Sequence, residues 1–578
     1  MVSWSDVKQW NGSALAEAIG PLNREYNELI NAGEDLGKIQ SPDGWSGQAA
    51  QAAGSRCGEL VEALGEWTGE IAAARTAFTA TSDAIGGVKN GVTEAEEVAK
   101  ANNFSIADDG SIADHGVPAD TPQDQREAVA EERARVKTEL EERVKNVLRS
   151  ADDVDNDFCK VLDKILGDTV DADSDATSLA AAGKAGTKVG SLTIPTPPPL
   201  SDATVAQNAA WWATLSEAQR KRFIQDFPGQ VGNRDGIPAS DRSAANVLRI
   251  DDERTRLQNR IKQLQAERRE HGGPGGVGEE MTINRKIARA EEKLDSLAAV
   301  ERTVTDRHGE PKAGKQLMLL DTSGERVKAA VANGDVDKAD HVAVFTPGMN
   351  SRVDTNLDDY VQDTDALKRH AEDELTRENR RGESVATVTW LGYEPPQTNP
   401  DGIFEAVVTG DSAEEGAPKL AEFYNGIDAS RADNPHMTAL GHSWGSLTQG
   451  YALRDHETGV DEAGFFGSPG IGTDSGKELN VPENHVYAWE AREDAVANIP
   501  GVVERYGKDV VEQDGIHHMS TEEYEPAPGQ RTEASTGHSE YMKSERSQGQ
   551  SSEVYQTSEY AMARIMIGSP DFTPVPEP

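Results

Sequence analysis

Gly441-His442-Ser443-Trp444-Gly445 sets a serine in a G-x-S-x-G pattern, after the apolar run Met437–Leu440 and before a stretch able to form a helix from Ser446 to Arg454. A serine on a tight strand-to-helix turn presents its hydroxyl at the end of a sheet, beside the unpaired N–H groups that open a helix. The flanking glycines fit a turn so sharp that side chains there would collide. The pentapeptide alone arises by chance in long chains. With a strand before it and a helix after it, the pattern predicts a nucleophile for acyl transfer at Ser443. The plain alternative is a Gly-Ser turn in any α/β domain.

Such a serine needs a base, an acid that holds the base, and donors for an oxyanion. Val486–Trp489 reads as a strand leading into Glu490-Ala491-Arg492-Glu493-Asp494. A carboxylate just past a strand end is placed to reach an imidazole, so Asp494 is the expected acid, with Glu490 and Glu493 as competitors. For the base, Gly537-His538-Ser539 lies in a small-residue loop ahead of a final helix over 554–566, which favours His538. His517-His518 sits among acidic, turn-forming residues and reads as surface or a weak metal pair. His442 is expected to point away from the nucleophile and line the pocket. One oxyanion donor is the N–H of Trp444. The other is assigned to Met349, with Asn350 as runner-up, in the loop Thr346-Pro347-Gly348-Met349-Asn350 that follows the strand Val342–Phe345. An ordinary type II turn is the bland reading of Pro347-Gly348. Chemistry of this kind needs no cofactor, and no cofactor-binding or metal-ligating residue is expected.

These residues have to be held by a scaffold, and the second half of the chain reads as one. Leu317–Leu320, Val327–Val331, Val342–Phe345, Val385–Trp390, Met437–Leu440, Ala463–Phe466 and Val486–Trp489 are short apolar or β-branched runs. Helical patterns separate most of them, notably Leu357–Leu375, Glu405–Phe423 and Ser446–Arg454. Such alternation predicts a mostly parallel sheet covered by helices on both faces. Ahead of it, Ile250, Leu257, Ile261 and Leu264 form one helical seam and Ile283, Ile287, Leu294, Leu297 and Val300 another. Gly272-Gly273-Pro274-Gly275-Gly276 parts them, so 250–302 reads as a helical hairpin insertion. Tyr393-Glu394-Pro395-Pro396 follows a strand end and is expected to border the pocket.

The first 168 residues read as all-helical. Leu15, Ile19, Leu22, Tyr26, Leu29 and Leu36 recur at steps of three and four, with Pro21 expected to kink the run. Leu60, Leu64, Trp67, Ile71, Phe78, Ile85, Val88 and Val92 form a second seam after the turn Ser41–Gly47. Asp109-Gly110 between short alternating runs predicts a β-hairpin. A long charged helix is expected from about Pro122 to Leu166. The segment 169–200, ending Pro195-Thr196-Pro197-Pro198-Pro199, reads as a linker, with the second domain over 201–570, opening at Ala210-Trp211-Trp212, and a tail over 571–578.

Composition excludes more than it identifies. The 578 residues carry 101 acidic against 58 basic side chains, a formal charge of −43. Repulsion of that size argues against nucleic acid or an anionic membrane surface as the main partner. No apolar run is long enough to cross a bilayer. The opening Met1-Val2-Ser3-Trp4-Ser5-Asp6 lacks the basic and apolar regions of a cleavable signal peptide, which leaves the compartment open between the cytoplasm and export without such a peptide. Cys57 and Cys159 are the only cysteines. Two free buried thiols are expected, with a bridge between helices as the alternative.

Two resemblances follow from these residues. Ala339-Asp340-His341-Val342 leading to Thr346-Pro347-Gly348-Met349, Thr389-Trp390-Leu391-Gly392-Tyr393, the elbow at Ser443, and Gly537-His538-Ser539 with Tyr541 together resemble an actinobacterial α/β-hydrolase family long known only as a domain of unknown function. The likeness spans roughly 205–570, with Trp211 and Asn233–Pro238 inside it. It implies an α/β-hydrolase fold preceded by a helical bundle, and a Ser443–Asp494–His538 triad, but says little about substrate. The two N-terminal helices joined by a Trp-x-Gly turn resemble proteins exported by actinobacterial type VII (ESX) secretion. No Tyr-x-x-x-Asp/Glu signal stands close behind them, although Tyr555 to Glu559 has that spacing. The expected function is a serine hydrolase acting on a small-molecule or lipid carboxylic ester. An amidase, peptidase or acyltransferase would use the same triad. A non-enzymatic secretion substrate or toxin-like protein, whose helical module binds a helical partner, is the third reading.

Overall fold

The computed structural model describes residues 2–40, 46–117, 121, 126–167, 169–170, 179–191, 203–271, 277–397, 410–431, 433–494, 496, 506–528, 530–543 and 555–570. The chain divides into two compact units, Met1–Asp120 with Arg133–Arg222, and Thr121–Glu132 with Phe223–Pro578.

The first unit is built on one helix, Gln48–Ala101, packed against Ser13–Gln40 and Leu179–Gly190. Its packing differs from the expected Leu/Trp seam. Val88 and Val92 of that seam are buried, but most of the buried face is small residues, among them Ala72, Ala73, Ala77, Ala84, Gly87 and Gly91, whereas Leu60 is 41% and Trp67 63% exposed. Small side chains let neighbouring backbones approach closely, and that leaves the larger residues on the outside. The helix Ser13–Gln40 runs through Pro21 as one element. A further helix, Arg126–Leu166, lays Val144, Val147 and Val154 against Val88 and Val92. Strands β1 (Phe104–Ile106) and β2 (Ile112–Asp114) pair antiparallel, with Gly110 at φ 88° in the turn, as the Asp-Gly signal predicts. Of the Trp-x-Gly turn, Ser41–Trp45 lies outside the described residues, as do 122–125 and, of the segment read as a linker, 171–178 and 192–200; its middle, Leu179–Gly190, is instead a helix of this unit. Cys57 is buried, Cys159 is exposed, and neither is bridged. Residues up to Arg222, including the helix Val205–Ala213 with Trp211 and Trp212, group with this unit; the division falls at Phe223 where the sequence reading put it at 201.

The second unit carries an eight-stranded sheet. Its strands are β3 (Lys315–Asp321), β4 (Lys328–Asn333), β5 (His341–Thr346), β6 (Val385–Leu391), β7 (His436–His442), β8 (Glu462–Phe466), β9 (Val486–Trp489) and β10 (His517–Met519), in the order β10-β9-β8-β7-β5-β6-β4-β3. β4 is antiparallel to both neighbours and every other pairing is parallel. A further short antiparallel pair joins β11 (Tyr524–Ala527) to β12 (Gln530–Thr532). The central strands are buried on both faces, which is why they read as unbroken apolar runs. One face packs on the helices Asp411–Ala429 and Trp444–Asp455 through Val344, Val388, Leu420, Tyr424 and Leu447. The other packs on Val353–Arg377 and Thr557–Met566 through Phe345, Leu367, Phe466, Met562 and Ile565.

The helical hairpin is longer than 250–302: it comprises Ala239–His271 and Val277–Val304, and 272–276 are outside the described residues. Its base buries Ile250, Leu257, Leu297 and Val300 against Leu317, Leu320 and Val331 of β3 and β4. The edge strand β3 is shielded by side chains that imitate a neighbouring strand. Asn233 donates Nδ2 to Leu320 O (2.8 Å) and accepts Leu320 N–H (2.9 Å), while Asn246 Nδ2 donates to Leu317 O (3.0 Å) and Ser243 Oγ accepts from Leu317 N (2.9 Å). Among the described residues no helix is long and apolar enough to cross a membrane.

Candidate active site

Strand β7 delivers Ser443 at its carboxyl end, and the helix Trp444–Asp455 starts on the next residue. The serine backbone sits at φ 54°, ψ −126°, a conformation that costs a non-glycine residue about 1–3 kcal/mol. Neighbouring backbone holds it there: Ser443 N–H donates to Phe466 O (3.0 Å) at the end of β8, and Ser446 N–H donates to Ser443 O (3.0 Å). Gly445 is needed as the sequence suggests, because a Cβ there would overlap the Thr346 carbonyl.

Asp494 lies on the turn after β9, closed by Asp494 N–H to Ala491 O (2.9 Å), and its side chain is buried. His538 Nδ1 lies 2.9 Å from Asp494 Oδ1 and 3.0 Å from Oδ2, so the imidazole faces both carboxylate oxygens. Val496 N–H (2.9 Å to Oδ1) and Tyr541 O–H (2.7 Å to Oδ2) are further donors. Burial pushes the Asp494 carboxyl up, but His538 and then Tyr541 outweigh it and hold the group below the usual carboxylate range. Gly467 lies under the pair: at φ 55° a Cβ would come within 2.7 Å of Asp494 Oδ2 and 3.0 Å of His538 Nδ1. It is also the residue after Phe466, which holds the Ser443 N–H. The Asp494–His538 pair and the Ser443 turn therefore meet adjacent residues at one strand end. His442 ties them a second time, with Nε2 2.7 Å from His538 O. Burial pushes the His442 imidazole down to about 4, so it is neutral near pH 7 and its ring N–H donates to that carbonyl.

On the other side of the serine, the loop after β5 abuts the elbow. A Cβ on Gly348 would stand 2.6 Å from Ser443 Cβ and 2.9 Å from Trp444 N. Asn350 donates its own N–H to Pro396 O (2.9 Å), which engages the runner-up oxyanion donor elsewhere. Met349 occupies the turn between Gly348 and Asn350, half-buried against the core.

The competing candidates lie apart from this pair. Glu493 is exposed, and Glu490 sits before the turn with its carbonyl accepting Thr521 Oγ1 (3.2 Å). His517 and His518 are on β10, a strand the sequence did not reveal, and His517 stacks on Tyr487 with ring centroids 5.5 Å apart. Among the described residues no group of three or more His, Cys, Asp or Glu is arranged to hold a metal. Sequence reasoning passed over Gly467 and the hydroxyl of Tyr541. The positive φ of Gly467 has no local motif to announce it, and Tyr541 stood out only within the family likeness.

Tyr393 lines a cleft of ≈ 810 Å³ with Glu394, Pro396, Ser412 and Lys419, and neither Ser443, Asp494 nor His538 is among its lining residues. Tyr393 O–H donates to Pro347 O (2.6 Å), and Trp444 Nε1 donates to Ser412 Oγ (3.2 Å), which links this cleft to both sides of the elbow.

Residues 322–504 match a family described as alpha/beta hydrolase; the span holds Met349, Ser443 and Asp494, while His538 lies beyond it. An uncharacterized protein of Mycobacterium tuberculosis is 32% identical over 229 residues, 37% of this chain and 84% of that protein. One from Mycobacterium bovis matches to the same extent. Another uncharacterized Mycobacterium tuberculosis protein is 27% identical over 316 residues, 52% of this chain and 45% of its own length. The eight-stranded sheet, the serine at the end of β7 and these likenesses agree, and the chain belongs to the alpha/beta hydrolase family.

Proposed function

We propose that this protein is a serine hydrolase that cleaves carboxylic esters through an acyl-serine intermediate. The observation that carries the reading is the Asp494–His538 hydrogen bond (2.9 Å) anchored at the same strand end as an elbow serine held at φ 54°. In this mechanism His538 Nε2 takes the Ser443 proton as Oγ attacks the carbonyl carbon. Asp494 fixes the imidazole tautomer through Nδ1–H and stabilises the imidazolium. The N–H groups of Trp444 and Met349 receive the negative charge of the tetrahedral intermediate. The imidazolium then protonates the leaving alcohol; water next attacks the acyl carbon as His538 takes its proton, and that proton returns to Ser443 Oγ as the acyl–serine bond breaks and the carboxylic acid leaves. An ester is favoured because its alkoxide leaving group asks least of the acid. No resident cofactor takes part in these steps.

The test is labelling by a fluorophosphonate probe together with a panel of esters of graded acyl length, on the wild-type chain and on Ser443→Ala. The expected result is labelling and turnover in the wild type and neither in the variant. Labelling that survives Ser443→Ala, or a wild-type chain that neither labels nor turns over any ester or amide, overturns the reading.

A further inference from the structure

Resting on the serine-hydrolase reading, we propose that Tyr541 is a positioning residue that locks the acid and the base of the site into one unit. Its hydroxyl is 2.8 Å from Ala491 N and 2.7 Å from Asp494 Oδ2. An amide N–H can only donate, so the phenol oxygen accepts from Ala491. Its single proton is thereby directed at the carboxylate. The phenol bridges the two ends of the Ala491–Asp494 turn and fixes the rotation of the carboxylate within it. Three donors then meet two oxygens: Val496 N–H on Oδ1, Tyr541 O–H on Oδ2, and His538 Nδ1–H facing both. The remaining lone pairs have little freedom, and the plane of the carboxylate is set for the imidazole.

Tyr541 is three residues from His538, so the loop that carries the base also pins the acid. That loop is itself moored. Tyr541 O accepts Ser558 Oγ–H (2.7 Å), the ring lies 5.5 Å from Phe466, and His442 holds His538 O. Burial, with the adjacent Asp494, pushes the phenol well above its ordinary range, so it keeps its proton near neutral pH. The Tyr541 hydroxyl is engaged by Ala491 N–H and Asp494 Oδ2. It acts through Asp494.

The test is Tyr541→Phe, which keeps the ring and removes only the hydroxyl. Loss of a hydrogen bond to a charged group is worth about tenfold to hundredfold in rate, and it is expected in kcat with KM little changed. A second readout separates positioning from mere stability. With one donor fewer, the Asp494 carboxylate carries more charge toward the imidazole and stabilises the imidazolium. The acid limb of kcat/KM is therefore expected to move to higher pH. Placing Tyr541→Phe in an Asp494→Asn background should add almost nothing to the loss, because the pathway has already been cut. If Tyr541→Phe keeps kcat and the limb in place, or lowers only the melting temperature, or if its effect adds fully to that of Asp494→Asn, the inference is overturned while the serine-hydrolase reading stands. If the wild-type chain has no Ser443-dependent labelling, the underlying reading has failed instead.

Discussion

Ser443, Asp494 and His538 come from three separate stretches of chain, and each is positioned by a neighbour that has little choice of identity. Gly467 shows this most directly. Its φ of 55° is in the left-handed region, and its missing Cβ leaves the room that Asp494 Oδ2 and His538 Nδ1 occupy. Gly467→Ala is expected to lower kcat by a hundredfold or more, on the order of a misplaced catalytic group, while costing about 1–2 kcal/mol of stability for the backbone conformation. Steady-state kinetics beside a denaturant melt check both; a variant with normal kcat would remove Gly467 from the account. Asp494→Asn is expected to keep the fold and the geometry but hold His538 in the wrong tautomer, a loss on the order of 10⁴ in kcat. The ester assay reads this against unchanged circular dichroism. Much of the site was legible in the sequence because a strand-elbow-helix pattern is local, and an acid after β9 and a histidine before the last helix follow from chain order. Gly467 and the Tyr541 hydroxyl were not legible in the same way, since each matters only through a contact made across tens of residues.

At the level of elements, the sheet was legible because parallel strands buried on both faces must be apolar throughout. All seven apolar runs are strands, five of them in the parallel part of the sheet, while β3 and β4 pair antiparallel. β10 escaped because it has three residues, two of them histidines, and gains its place from pairing with β9 alone. The helix Gln48–Ala101 misled in part for the opposite reason: Val88 and Val92 of the expected seam are buried, but Leu60 and Trp67 are exposed and alanine and glycine make much of the packed face. The amino ends of the central strands hold a feature with a pH signature. His436 begins β7 and His485 precedes β9, and both lie against the buried Glu462 at the start of β8, at 3.5 and 2.9 Å. For His436 burial works against the charge, but Glu462 and Asp461 prevail and raise it; for His485 the hydrogen bond to Glu462 raises it directly. A raised histidine adds stability that is complete below the ordinary value of 6.5 and is lost as pH climbs through the folded value. Burial lowers His341 and takes His442 to about 4, so their contribution is present above 6.5 and lost as pH falls toward those values. On the alkaline side the melting temperature is therefore expected to fall as pH rises above 6.5; below it, the loss from His341 and His442 is opposed by the buried Asp363, which burial raises to about 7. His485→Gln should flatten the alkaline side while leaving ester turnover intact, because that row lies at the opposite end of the strands from Ser443. A melting curve indifferent to pH between about 5.5 and 8 would contradict this linkage.

For the molecule as a whole, the formal charge of −43 is the dominant long-range term. A charge of that sign and size sets up a negative potential that acts on approaching substrates before any contact is made. It does not alter chemistry once the ester is bound, so its effect belongs in kcat/KM and not in kcat. Three esters with the same acyl group and with cationic, neutral and anionic alcohol portions separate the contributions. At low ionic strength kcat/KM is expected to rank cationic above neutral above anionic. Raising the salt from about 0.01 M to about 0.15 M shortens the screening length from about 30 Å to about 8 Å. The cationic ester should then slow, the anionic ester should speed up, and the neutral one should hardly move. A ranking that survives at high salt places discrimination in direct contacts with the bound ester, whereas one that collapses with salt assigns it to the field of the whole chain.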